Sequence, residues 1–158
     1  MRENLLKNRK IGIILSVCYL TTVFFFYYMT LQSGNDSSEQ SSFVTDLFIK
    51  VISIFKNDWK YDYDVVHNII RKVVGHFGYS AFMGILGFLS WYFLRLKISE
   101  SVLINLIVGL FIASTSELLQ LIPNDRGPSF GDLFINYTGY FFGVITILFI
   151  VKSVLKNK

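Results

Sequence analysis

Residues 102–122 read VLINLIVGLFIASTSELLQLI, and Glu117 is the one titratable residue among them. About twenty residues of helix span roughly 30 Å, the thickness of a bilayer's hydrocarbon core, so this run is long and apolar enough to cross a membrane. Three runs of similar length stand on either side of it, Ile11 to Leu31, Val73 to Leu94 and Leu133 to Val151. Apart from tyrosines and Cys18, His76 is the only titratable side chain in those three. A soluble fold would break such runs with charges every few positions. With 53% hydrophobic and 17% aromatic residues and a mean hydropathy of +0.49, the 158-residue chain does not suit a water-facing surface. The expectation is an all-α integral membrane four-helix bundle, one domain over residues 1–158, with spans at about 11–31, 73–94, 102–122 and 133–151.

Four spans put both termini on one membrane face, and the placement of Lys and Arg selects it. The tails and the middle loop carry Arg2, Lys7, Arg9, Lys10, Arg95, Lys97, Lys152, Lys156 and Lys158 against the acids Glu3 and Glu100. On the other face acids outnumber Lys50, Lys56, Lys60, Arg71, Lys72 and Arg126. Both termini are therefore expected in the cytoplasm. The net charge of +4 and the pI near 9.2 follow from this topology, and point to anionic membrane lipids as partners and not to nucleic acid. Met1 to Lys10 before an apolar run imitates a secretory signal. The run is longer than a signal's apolar region, and Met29-Thr30-Leu31-Gln32 has no small-x-small site, so it reads as a retained signal anchor. Cys18 inside this span reads as an apolar filler; a lone cysteine forms no intrachain disulfide and leaves the redox compartment open.

Between the first two spans, Gln32 to Gln40 (QSGNDSSEQ) has the content of turns and caps, which predicts an abrupt end to the first span. Phe43, Val44, Leu47, Phe48, Val51, Ile52 and Phe55 then recur at helical spacing, with Asp46, Lys50 and Lys56 on other faces, and Trp59, Tyr61 and Tyr63 follow like an interfacial belt. This is an extracytoplasmic amphipathic helix, lying either on the outer leaflet or as a lid on the bundle. Asp64 is the expected cap of a helix that begins at Val65-Val66 and runs into the second span.

In the third span Asn105, Gly109, Ala113, Ser116, Glu117 and Gln120 fall on one helical stripe. Small residues allow close approach, and Gly139 and Gly143 in the fourth span offer a matching surface. An unpaired carboxylate at the depth of Glu117 costs several kcal/mol, so pairing with Arg71, Lys72 or Arg126 is expected, either as a structural ion pair or as part of a working site. Lys72, His76 and Tyr79 share a helix face at α-helical spacing. His67 lies on another turn and face, and no second His or Cys stands at ligand spacing, so neither a metal nor a cofactor is expected. Ser129 and Asp132 fit a capping box that starts the fourth helix, and Asn136 shares a face with Asp132 and Gly139. Gln32, Ser33, Arg71, Lys72, His76, Glu117, Gln120, Arg126, Asp132 and Asn136 all fall at the outer ends of their helices, while the inner halves read as almost purely apolar. One site could hold them all.

At these residues the chain resembles the VanZ-like family of small bacterial membrane proteins, named for a teicoplanin resistance protein. Gln32-Ser33-Gly34 with Ser37 and Ser41 resembles its first segment. Arg71-Lys72, His76 and Tyr79 resemble its R-K-x-x-x-H-x-x-Y, and Glu117, Gln120, Arg126, Asp132, Asn136, Gly139 and Gly143 resemble its E-x-x-Q, R and D-x-x-x-N-x-x-G-x-x-x-G series. The resemblance covers about residues 31 to 143. It implies a multi-pass protein of the bacterial cytoplasmic membrane associated with reduced susceptibility to teicoplanin-type glycopeptides, and it supplies no mechanism.

Three functions compete. A non-enzymatic protein would bind an envelope head group, such as a lipid-linked cell-wall precursor, or the glycopeptide itself. Arg71, Lys72 and Arg126 would hold phosphate or carboxylate, Gln120 and Asn136 would hold amides, and Glu117 and Asp132 would position the bases. A membrane enzyme would use Glu117 or Asp132 as general base and His76 as acid or nucleophile, although no Ser or Cys stands beside a base in a recognisable nucleophile elbow. A proton-coupled transporter or flippase would use Glu117, but four spans are few for one unless it dimerises.

Overall fold

The computed structural model describes residues 8–55, 60–94 and 96–157. Lys56 and Trp59, and Arg2, Glu3, Lys7, Arg95 and Lys158 of the charge count, lie outside the described residues. All regular structure among the described residues is helical: α1 Arg9–Thr30, α2 Gly34–Phe55, α3 Tyr63–Ile70, a π-helical segment Arg71–Gly78, α4 Tyr79–Phe93, α5 Ile98–Leu119 and α6 Phe130–Lys156. The segment from Tyr63 to Phe93 is continuous, and it joins α1, α5 and α6 as the four helices long and apolar enough to cross a membrane. Their lipid-type faces are apolar and exposed, as at Ile14, Val17, Leu20 and Phe24 on α1 and Leu103, Ile107 and Phe111 on α5.

The helices start where local donors are satisfied. Asn8 accepts from the Lys10 N–H at the head of α1, and Glu100 accepts the Lys97 N–H at the head of α5. Asp62, and not Asp64, caps α3, accepting from the N–H groups of Asp64 and Val65 at 2.9 and 3.3 Å. The second span thus begins at Tyr63, a full ten residues before its apolar run, because a capped helix tolerates polar residues in its first turns. The Ser, Asn and Asp residues after Ser33 are likewise helical. Ser33 Oγ accepts the Asp36 N–H at 3.1 Å, and α2 starts at Gly34, so QSGNDSSEQ is a two-residue break followed by a capped helix and not an extended turn.

The spans run up, down, up, down, with α4 at the centre and α1, α5 and α6 packed on it. Phe88, Met83, Tyr92, Val144, Ile112 and Tyr140 form the heart of the core. Close packing rests on glycines, but not as the sequence pattern paired them. A Cβ at Gly139 or Gly143 would strike the backbone of Phe77 or Ala81 in the second span, not the third, while Gly109 makes room for the ring of Tyr140. The small stripe of α5 is otherwise as expected: Asn105, Gly109, Ala113, Ser116, Glu117 and Gln120 are all buried.

The inner parts of the bundle are less apolar than the runs suggested. Tyr19 and Tyr140 share a 2.7 Å hydroxyl bond, Tyr140 donates to Asn105 Oδ1 at 2.7 Å, and Asn105 Nδ2 donates to the Gly84 carbonyl at 2.9 Å. Ser90 and Ser101 are buried further along. Counting charges overlooks such residues, because hydroxyls and amides can satisfy one another or a helix carbonyl inside a bundle, as Ser90 does with Leu86.

Candidate functional site

The end of the bundle opposite the chain termini is tied together by the α5–α6 loop. Asp125 Oδ2 accepts the Gly34 N–H at 2.8 Å, placing a carboxylate at the N-terminus of α2, where the helix dipole favours it. Arg126 Nη1 donates to the Gln32 carbonyl at 3.3 Å, just past the last turn of α1. One Asp-Arg pair therefore clips both sides of the α1–α2 turn.

Beneath this clip Glu117 is 3% exposed and meets no cation at ion-pair distance among the described residues. It accepts instead from three neutral donors: Gln120 Nε2 at 3.0 Å, Asn136 Nδ2 at 3.3 Å and the Ser129 backbone N–H at 3.0 Å. The expected partnership with Arg71, Lys72 or Arg126 is replaced by these bonds, because the carboxylate sits at the N-terminus of α6, where free N–H groups and the helix dipole already favour an acceptor. Ser129 caps α6 as foreseen, its Oγ accepting the Asp132 N–H at 3.2 Å. Glu117, from another helix, takes the Ser129 N–H that a capping-box side chain would take.

Asn136 is the hub of the cluster. Its Nδ2 faces the Glu117 carboxylate, so its Oδ1 faces His76 Nδ1, at 3.2 Å, and Ser80 Oγ, at 3.4 Å. Glu117 Oε1 accepts here, which orients the amide, and the amide oxygen in turn sets His76 Nδ1 as a donor.

These residues border an open cavity of about 260 Å³. Among the expected residues Arg71, His76, Tyr79, Gln120, Arg126 and Asn136 line it. Glu117 stands behind Gln120 and Asn136, while Gln32 and Ser33 hold the α1–α2 turn. Asp132 does not line the cavity but is near enough to Arg126 to favour its charged form, as Glu117 and Asp125 do. Burial, then the neighbouring Arg71, push the Arg126 guanidinium below its ordinary pKa. Lys72 is exposed and off the cavity. The π-helix, with its i→i+5 bonding and wider turn, brings Arg71 round to the cavity side that His76 also lines, where an α-helix would turn it away. Tyr79 closes the floor, stacked on Phe26 with its hydroxyl donating to the Thr22 carbonyl at 3.0 Å.

The helix between the first two spans supplies a wall that the site residues read from the sequence did not include. Ser37, Gln40, Ser41 and Val44 line the cavity from α2. Ser41 Oγ lies 2.7 Å from His67 Nε2, so a serine does stand beside a histidine here, across two helices and outside any sequence motif for a nucleophile. The i, i+4 spacing of Ser37 and Ser41 was the available signal; the partner was not local. Further along the same side of α2 the surface is apolar and open, with Leu47 55% and Phe55 84% exposed. No cluster of His, Cys, Asp and Glu suited to a metal occurs among the described residues.

Fold and site together define a small four-span helical membrane protein with a cationic cavity at one end. The chain belongs to the VanZ/LLP1 family, whose model matches residues 13–152. No curated protein and no solved structure matches it.

Proposed function

We propose that this protein sits in the bacterial cytoplasmic membrane with both termini in the cytoplasm and its cavity on the extracytoplasmic side, where it binds an anionic envelope head group without catalysis and thereby lowers susceptibility to teicoplanin-type glycopeptides. The reading is carried by Arg71 and Arg126, which line one cavity and have no ion-pair partner among the described residues. A guanidinium in a partly dry recess is costly until an anion meets it, and its planar fork suits carboxylate or phosphate. The volume supports a head group over an intact glycopeptide, since pockets that enclose drug-sized ligands run to about 300–1,000 Å³. The asymmetry of Lys and Arg supports the orientation, and the exposed apolar stripe of α2 supports its lying in the outer leaflet.

In a glycopeptide-susceptible bacterial host, Arg71→Gln and Arg126→Gln should each reduce teicoplanin protection per inserted molecule, with membrane abundance measured by immunoblot. Full protection by both variants at equal abundance would sink the reading. Alkaline phosphatase should be active when fused within residues 34–55 and inactive after Lys158; the reverse pattern would turn the cavity inward.

A second reading, a membrane enzyme acting on such a head group, is favoured by the Ser41–His67 contact, which is within the reach of an activated nucleophile. Ser41 Oγ is also 3.0 Å from the Ser37 and Ser38 carbonyls, an ordinary helix back-bond that serves α2–α3 packing equally well. Ser41→Ala separates the two: a binder keeps its protection, and an enzyme loses it at normal abundance.

A further inference from the structure

The rim of the cavity says how its occupant arrives. Met29 of α1, Val44 of α2, and Val74 and Gly75 of the π-helix all line the cavity and are themselves exposed. Gln40, near the polar start of α2, is the polar exception. The three apolar side chains continue into exposed apolar surface on the same elements, through Phe25, Phe48 and Val73. A mouth that admitted solutes from water would be rimmed with polar groups. This one opens onto exposed apolar surface, while Arg71, Arg126, His76, Gln120 and Asn136 also line it.

The polarity is that of an amphiphile: cationic and amide groups inside, hydrocarbon-compatible groups at the opening. Gly75 supports the same conclusion. Glycine in the middle of a helix is unfavourable by about 0.5–1 kcal/mol relative to alanine, and other helical glycines of this bundle answer to close neighbours, the Phe77 and Ala81 backbones at Gly139 and Gly143 and the Tyr140 ring at Gly109. At Gly75 a Cβ would meet nothing within 4 Å. No packing demand explains the missing side chain, and the space it leaves lies in the cavity wall at the rim.

We infer that the ligand is a phosphate-bearing lipid that slides in sideways from the surrounding leaflet, between the end of α1 and the π-helix and along α2, with its phosphate on Arg71 and Arg126 and its tail left in the bilayer across Met29, Val44 and Val74. This rests on the head-group reading above and narrows it to a membrane-borne phosphate. The guanidinium pair fixes the phosphate by charge-assisted bonds. The clip from Asp125 and Arg126 to the α1–α2 turn holds α2 over it.

The test uses the purified full-length protein in detergent and native mass spectrometry with three probes: dioleoyl phosphatidic acid, which has phosphate and tails; dioleoylglycerol, which has tails only; and glycerol 3-phosphate, which has phosphate only. Phosphatidic acid should bind at least about tenfold more tightly than either of the others, a difference of about 1.4 kcal/mol. Gly75→Leu and, independently, Val74→Trp should block the mouth and weaken phosphatidic acid by a similar factor while thermal stability stays at the wild-type value. The double variant Arg71→Gln/Arg126→Gln should lose the preference of phosphatidic acid over dioleoylglycerol. Glycerol 3-phosphate binding as tightly as phosphatidic acid, or two stable mouth variants that bind phosphatidic acid normally, overturns lateral access and leaves the anion site standing. A double arginine variant that keeps the full phosphate preference overturns the anion site itself.

Discussion

Halfway along the bundle Tyr19, Tyr140 and Asn105 form a polar tier, and at the cavity end Glu117, Gln120, Asn136 and His76 form another. In the first, each hydroxyl and amide is turned on a partner within the tier or on the Gly84 carbonyl, and large rings close the space around them. In the second, the interior bonds are just as complete around Glu117, yet Arg71, Arg126 and His76 line an open cavity. A polar residue inside a membrane bundle is therefore no sign of a site by itself. A closed network fixes register and helix pairing; an open one has chemistry left to offer a ligand.

The comparison breaks most readily at Glu117. Glu117→Ala strands the donors of Gln120, Asn136 and Ser129, and leaving a buried group unsatisfied costs about 1–3 kcal/mol each. The expected result is a large fall in detergent melting temperature and in membrane abundance. Glu117→Gln should fall in between, because one amide oxygen can serve only part of the donor set. A Glu117→Ala protein that melts with wild type would mean that the carboxylate does not organise this end of the bundle.

Asn105→Leu attacks the closed tier. It removes the Tyr140 and Gly84 bonds, each worth about 0.6 kcal/mol on average and up to about 1.7 kcal/mol within membrane bundles. Stability should drop modestly while teicoplanin protection per inserted molecule is unchanged. Loss of protection at normal abundance would show that the two tiers act as one, and the distinction between them would fail.

At the cavity, His76→Gln should cost still less. Glutamine can donate to Asn136 Oδ1 but cannot carry a proton at neutral pH, so a binding site keeps most of its protection. If His76→Gln abolishes protection at normal abundance while Arg126→Gln retains it, proton transfer and not anion binding is the working chemistry.

The four spans, the buried stripe of α5 and the Ser129 cap were legible in the sequence because they depend on hydropathy and local periodicity. The cavity was legible in outline, since Arg71, His76, Gln120, Arg126 and Asn136 fall near one end whatever the details. What could not be read was which groups meet. Glu117 could reach several cations, and only the N-terminus of α6 arriving beside it decides for Ser129 and Asn136. Gly139 and Gly143 carry no mark that says second span instead of third. Ser41 and His67 are brought together by two helices whose crossing no local pattern encodes. The closed tier escaped for a different reason: tyrosine and asparagine within apolar runs look like interruptions until their partners are in place.

The π-helix gives the smallest and sharpest test. An α-helix from Tyr63 to Phe93 would turn Lys72 toward His76, at i, i+4, and turn Arg71 away. With i→i+5 bonding over Arg71–Gly78, Arg71 reaches the cavity and Lys72 is left exposed. The two residues are adjacent, both cationic and at nearly the same depth, so depth and net charge cannot distinguish them; what does is that Arg71 lines the cavity and Lys72 does not. Lys72→Gln should thus leave stability within about 0.5 kcal/mol of wild type, as surface changes generally do, and leave protection unaltered, whereas Arg71→Gln should lower protection at the same abundance. Equal losses from both would mean a general charge effect at that membrane face. Loss from Lys72→Gln alone would mean that Lys72 is the cation at the site, and that the pairing of Arg71 with Arg126 has to be given up.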